Sequence, residues 1–99
     1  MNNMITIEEI AMKEISSDNV AISLMEEIME SLAKENLVKT NYHYTILKEE
    51  DENLSIRMYS LIKHIFKIKG WVLEINFSKT KDNKRIYNAI LTPINMIYV

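Results

Sequence analysis

The stretch NLSIRMYSLIKHIFKIKGWVLEINF, Asn53 to Phe77, carries two different periodicities, one on each side of the chain's single glycine. On a helical wheel Leu54, Met58, Leu61, Ile62, Ile65 and Ile68 fall in one arc, with Tyr59 and Phe66 at its edge. Arg57, Ser60, Lys63, His64 and Lys67 fill the opposite arc, which is the pattern of a helix with one buried face. Gly70 is the natural stop, because the residue that ends a helix often needs positive φ, and glycine takes it without a Cβ clash. Beyond it the period becomes two. Trp71, Leu73, Ile75 and Phe77 lie on one side, and Val72, Glu74, Asn76 and Ser78 on the other. The spacing therefore predicts a helix over 53–69 passing directly into a strand with one buried face.

Charge marks the ends of this helix. Glu49, Glu50, Asp51 and Glu52 precede or enter its first turn, with Asp51 or Asn53 as N-cap, while Lys63, His64, Lys67 and Lys69 lie toward its C-terminal end. Both placements suit the helix macrodipole.

Working outward, Thr6-Ile7-Glu8-Glu9 has the spacing of a capping box and opens a short helix at 6–15, with Ile7, Ile10, Ala11 and Ile15 as its stripe. Ser16, Ser17 or Asp18 can cap the next helix, predicted over 20–35, where Ala21, Leu24, Met25, Ile28, Met29 and Leu32 share a face. Its other face carries Ser23, Glu26, Glu27, Glu30 and Lys34, and Ile22 and Met29 stand at one margin of the apolar arc. Residues 42–47 alternate as a strand of aromatic and β-branched residues. After Phe77 a polar segment containing Asp82-Asn83 leads to a last strand, so 71–92 forms a β-hairpin. A two-residue turn sets Ile75 opposite Ile90 and a three-residue turn sets it opposite Ala89. Pro93 ends the pairing or confines this strand to an edge. An apolar tail, 94–99, follows.

The expectation is a single α+β domain of order α-α-β-α-β-β, with a three-stranded sheet and the helices packed on one face. A bare second face suits an oligomer contact, for which Tyr87, Leu91, Met96, Ile97 and Tyr98 are the candidates, in a homodimer.

Composition bounds the rest. The chain has 99 residues, 47% hydrophobic and 26% charged, enough for one core. It has no cysteine, so thiolate chemistry is excluded and a reducing, cytoplasmic setting is expected. Its opening residues are not a basic leader, and no apolar run approaches the ~20 residues of a membrane span. Net charge is −2, but residues 1–54 hold 12 acids and 4 bases, and residues 55–99 hold 2 acids and 8 bases. Such asymmetry marks either a binding surface or two halves of one fold neutralising each other.

One layout stands out: Thr6 to Ile10, Val20 to Lys34, Tyr42 to Leu47, then Lys67 to Val72 with Gly70-Trp71 inside it. A short Thr-x-x-Glu-Ile helix, a longer helix ending in Ala-Lys, a strand, and a helix closing in Lys-x-Gly-aromatic before another strand resembles many small proteins of tailed bacteriophages. The first long helix departs from that pattern, ending Ala33-Lys34-Glu35-Asn36 where a glycine is usual. The resemblance implies a phage origin and the host cytoplasm as setting; most such proteins have no assigned activity, so no site residues carry over.

One glycine cannot build a phosphate loop, and His43 and His64 lack metal-ligand spacing, so neither catalysis nor a cofactor is expected. Two binding readings remain. In the first, the protein docks on a host or phage protein as an inhibitor or adaptor, for instance of a nucleic-acid-handling enzyme. Its candidate surface is Glu26, Glu27 and Glu30 with Glu49, Glu50, Asp51 and Glu52, which would steer toward a basic partner. In the second, Arg57, Lys63 and Lys67 on the helix with Lys79, Lys81, Lys84 and Arg85 at the hairpin tip bind nucleic acid. Against the second, the helix before the hairpin is continuous, and no aromatic is interleaved with the lysines.

Overall fold

A computed structural model of the chain describes residues 6–34, 38–40, 43–50 and 52–94. Its elements are α1 (Ile7–Ser16), α2 (Asn19–Lys34), β1 (Val38–Thr40), β2 (His43–Glu50), α3 (Ile56–Ile68), β3 (Trp71–Lys79) and β4 (Arg85–Pro93). The fold is α+β. The three expected strands form one antiparallel sheet, and the short β1 extends it at the β2 side, giving the order β1-β2-β4-β3. Both β2 and β3 pair antiparallel with β4, so they run parallel to each other with β4 between them. The unit β2-α3-β3 is thus a split β-α-β arrangement, and β3 is an edge strand.

Local chemistry explains the helix ends. Thr6 caps α1, its Oγ1 accepting from the Glu9 N–H at 3.1 Å. Asp18 does the same for α2 through the Ala21 N–H at 3.0 Å. For α3 the cap is Ser55, whose Oγ accepts from the Met58 N–H at 3.1 Å, so neither Asp51 nor Asn53 fills that role. The first turn of α3 holds no acid, because β2 runs on through Glu50 and keeps Glu49 and Glu50 in the sheet.

The hairpin register pairs Ile75 with Ala89. Residues 81–83 form its tip: the Asn83 N–H donates to the Thr80 carbonyl at 3.1 Å, and Asn83 then takes a left-handed φ of 62°. A tight turn followed by a left-handed residue is a common three-residue hairpin connection, and Asn tolerates that conformation better than most residues. Pro93 faces Trp71 at the far end. It ends β4 but does not make it an edge, since β4 is paired on both sides.

The helices cover the sheet face that carries Ile46, Leu73, Tyr87, Ala89 and Leu91, all buried. Against them pack Ala11 and Ile15 of α1, Ala21, Leu24, Met25 and Ile28 of α2, and Ile62, Ile65 and Phe66 of α3. Tyr44 and Trp71 meet edge to face across the sheet at 5.6 Å between ring centres. Three expectations are corrected here. Ile7 and Ile10 are exposed, so the buried stripe of α1 is Ala11 and Ile15. Phe66 is core, and Ile68, expected in the buried arc, is 51% exposed. Tyr87 and Leu91 lie under the helices, so they are not available as an oligomer contact on the bare face; their neighbours Ile86 and Ile90 point there instead.

Gly70 ends α3 with φ +94°, its N–H donating to the Lys67 carbonyl and its carbonyl accepting from the Ile94 N–H. No atom lies within 4 Å of where a Cβ would stand, so a substitution there is strained by the backbone alone. Gly70→Ala is expected to lower unfolding free energy by about 1–2 kcal/mol in urea denaturation, with unchanged helix content by circular dichroism.

Candidate docking surface

The fold brings opposite charges of the two halves together. Glu49 Oε1 lies 3.1 Å from Lys84 Nζ, and Glu50 stands opposite Arg85 in the β2–β4 register. Arg85 Nε also donates to Asn53 Oδ1. Across the helices, Arg57 grips Glu14 with both ends of its guanidinium, at 2.7 Å from Nη2 to Oε1 and 3.1 Å from Nε to Oε2. Hydrogen bonding and charge from Glu14 raise the Arg57 pKa further above its ordinary value. Lys69 Nζ sits 3.4 Å from Glu8 Oε1 at the other end of the same helix pair, which ties α1 and α3 antiparallel. Part of the sequence asymmetry is therefore internal neutralisation, and exposed pairs of this kind add little stability.

The described acidic candidates come from two places, α2 and the end of β2 with Glu52 just beyond it. Glu26 and Glu30 are exposed and Glu27 half-buried on α2, while Glu50 and Glu52 line a cleft of about 190 Å³ with Asn19 and Val20 at the N-terminus of α2. From residue 19 to residue 26 is about 10 Å along the helix axis. Glu50 Oε1 is buried there without a hydrogen-bond partner among the described residues. The positive end of the α2 dipole favours a carboxylate at that point. Asp51 and the tail residues Met96, Ile97 and Tyr98 lie outside the described residues, as do Glu35, Asn36 and Tyr42.

The basic candidates also divide. Arg57 and Lys84 hold carboxylates, and Arg85 binds Asn53. Lys63, Lys67, Lys79 and Lys81 are exposed and have no carboxylate partner among the described residues. His64 is exposed on α3.

A third feature escaped the sequence reading. Where the start of α3 meets the end of β3, a cleft of about 160 Å³ is lined by Leu54, Ile56, Tyr59, Ile75, Phe77 and Tyr87. Ile56 is 85% exposed and Phe77 is 52% exposed, so two large apolar side chains stand in water on either side of it. Phe77 stacks on Tyr87 at 5.8 Å between ring centres, and the Tyr59 hydroxyl accepts from the Ile75 N–H at 3.2 Å. The signal was present in the sequence: Ile56 is an apolar residue opposite the buried arc of its own helix. Lys63 and Lys67 follow Ile56 on the same stripe of α3, and Lys63 Nζ lies 5.6 Å from the centre of the Tyr59 ring.

Among the described residues no three His, Cys, Asp or Glu side chains converge as metal ligands, and no helix is long and apolar enough to cross a membrane. Comparison with protein-family models, curated proteins and solved structures gave no match.

Proposed function

We propose that this chain is a small non-enzymatic binding protein that acts by docking on another protein through the cleft between α3 and β3. The observation that carries this reading is the exposure of Ile56 and Phe77 across one aromatic-lined depression, while the core beneath is closed by Ile62, Ile65, Phe66 and Leu73. Large apolar side chains grouped around a cleft are a common mark of an interaction site, and a partner side chain buried there would form its anchor. The bacteriophage-like element order makes a host protein the natural partner. Internal pairing of Glu49 with Lys84 and of Glu14 with Arg57 weakens the competing readings, in which either charge cluster acts whole.

The test is the double variant Ile56→Ser with Phe77→Ser. Both side chains are largely in water, so the variant should keep its urea midpoint within a modest shift. Capture of a protein partner from nuclease-treated bacterial lysate should fall at least tenfold. Unchanged capture would overturn the reading. So would recovery of nucleic acid alone, weakening steeply with salt and lost on Lys63→Glu with Lys67→Glu.

A further inference from the structure

We infer that the groove between α3 and β3 takes an extended peptide segment of the partner, which adds to β3 as a fifth strand and carries carboxylates beside one large apolar anchor. This rests on the docking reading above and names what docks.

Strand order leaves β3 at the sheet edge. The Ile75 N–H donates to Tyr59, not to β4, so it points outward. In an antiparallel pair, outward and inward residues alternate. Trp71, Leu73, Phe77 and Lys79 therefore direct their N–H and carbonyl groups to the same open side as Ile75. Pro93 agrees with this phase, because it stands opposite Trp71, where β4 has no N–H to give. The Tyr59 hydroxyl keeps one edge donor satisfied in the free protein, and a strand carbonyl can replace it once the tyrosine turns aside.

Side chains of an added strand alternate between the two faces, so every second one points toward α3. At the level of Phe77 such a side chain meets the cleft of about 160 Å³, room for one large apolar group. Charge then selects the neighbours. Lys63 and Lys67 share the stripe of α3 that carries Ile56, with Lys63 Nζ 5.6 Å from the centre of the groove-lining Tyr59 ring, and Lys79 closes β3 on the face of Phe77; none has a carboxylate partner among the described residues. The one acid of β3, Glu74, lies on the opposite face of the strand. Lysines beside an edge strand also discourage two copies from pairing there, since their seam would gather both lysine sets. An acidic segment meets attraction where a second copy meets repulsion.

The probe is the blocked peptide acetyl-Glu-Thr-Phe-Thr-Glu-Thr-Asp-amide, which places its acids and its phenylalanine on one face. It is titrated into the ¹⁵N-labelled full chain. The amides of Leu73, Ile75 and Phe77 should shift together, with an affinity that falls as salt rises. Lys63→Glu with Lys67→Glu, Phe77→Ser, and a peptide with lysine in place of every acid should each weaken binding at least tenfold. Alternate N-methylation of the peptide backbone should abolish the β3 shifts. Equal affinity for the lysine peptide, or β3 amides that do not move, would overturn the inference. Concentration-dependent shifts of those amides without peptide, with a dimer by light scattering, would assign the groove to a second copy and overturn it too. Should the peptide fail while Ile56→Ser with Phe77→Ser still abolishes protein capture, strand addition falls and docking stands; if capture also survives that variant, both fall.

Discussion

Phe66→Ala should remove about 3–5 kcal/mol of unfolding free energy, measured by urea denaturation. Phe66 is 2% exposed and is the bulkiest of the fully buried side chains. It projects from α3 into the layer shared with Ile15, Ile62, Ile65 and Leu73. That layer joins α1 to α3 and α3 to the sheet, so no single element can close a hole left there. Truncation to Ala forfeits the transfer free energy of the ring, and the side chains that lined it lose their dispersion attraction to it. A domain of this size has roughly 5–15 kcal/mol in total, so the loss is about a fifth of it or more. The melting temperature should fall by about 12 °C or more. The chain's other phenylalanine supplies the control. Phe77 is 52% exposed, and Phe77→Ala should cost under about 1.5 kcal/mol. Equal losses at the two positions would mean that α3 does not lie on the sheet with the face described.

That contrast also shows what was legible in the chain. The change of period at Gly70 located α3 and β3, because amphipathic spacing and a positive-φ stop are local properties. The wheel placed Phe66 and Tyr59 alike at the margin of the arc. Only the position of β3 beside α3 decides that Phe66 turns inward and Ile68 outward. The acidic run is the same case. Glu49 and Glu50 suit a helix N-terminus by composition, yet β4 supplies Ile86 and Arg85 as ladder partners, and the strand continues through them. Strand β4 has large apolar residues on both sides, Ile86 and Ile90 on one, beside Asn88 and Thr92, and Tyr87, Ala89 and Leu91 on the other. Such a run does not announce which side faces the helices; the three-residue hairpin tip settles it by pairing Ala89 with Ile75. The cleft needed three segments that meet only in the fold, Leu54 to Tyr59, Ile75 to Phe77, and Tyr87, and no local pattern brings those together.

Tyr87→Phe should lower unfolding free energy by about 1–3 kcal/mol and loosen the entry to α3. The Tyr87 ring is buried and stacks on Phe77, and phenylalanine keeps that ring. What is removed is the hydroxyl, which accepts from the Leu54 N–H at 2.6 Å and donates to the Glu52 carbonyl at 3.3 Å. These bonds fasten residues 52–54 to the centre of the sheet. Without them a half-buried N–H loses its partner, and the cost of an unmet donor exceeds the net gain of an ordinary hydrogen bond. The loss should be read in two ways: a lower urea midpoint, and faster hydrogen exchange at the Leu54 amide than at the Ile65 amide of mid-α3. Because Ser55 caps α3 one residue beyond this anchor and Ile56 follows it, the cleft loses definition as well. Partner capture should therefore weaken along with stability, although the phenol itself need not touch the partner. A Leu54 amide that exchanges no faster in the variant would show that the segment is held from elsewhere. Ile56 would then owe its position to the α3 cap alone.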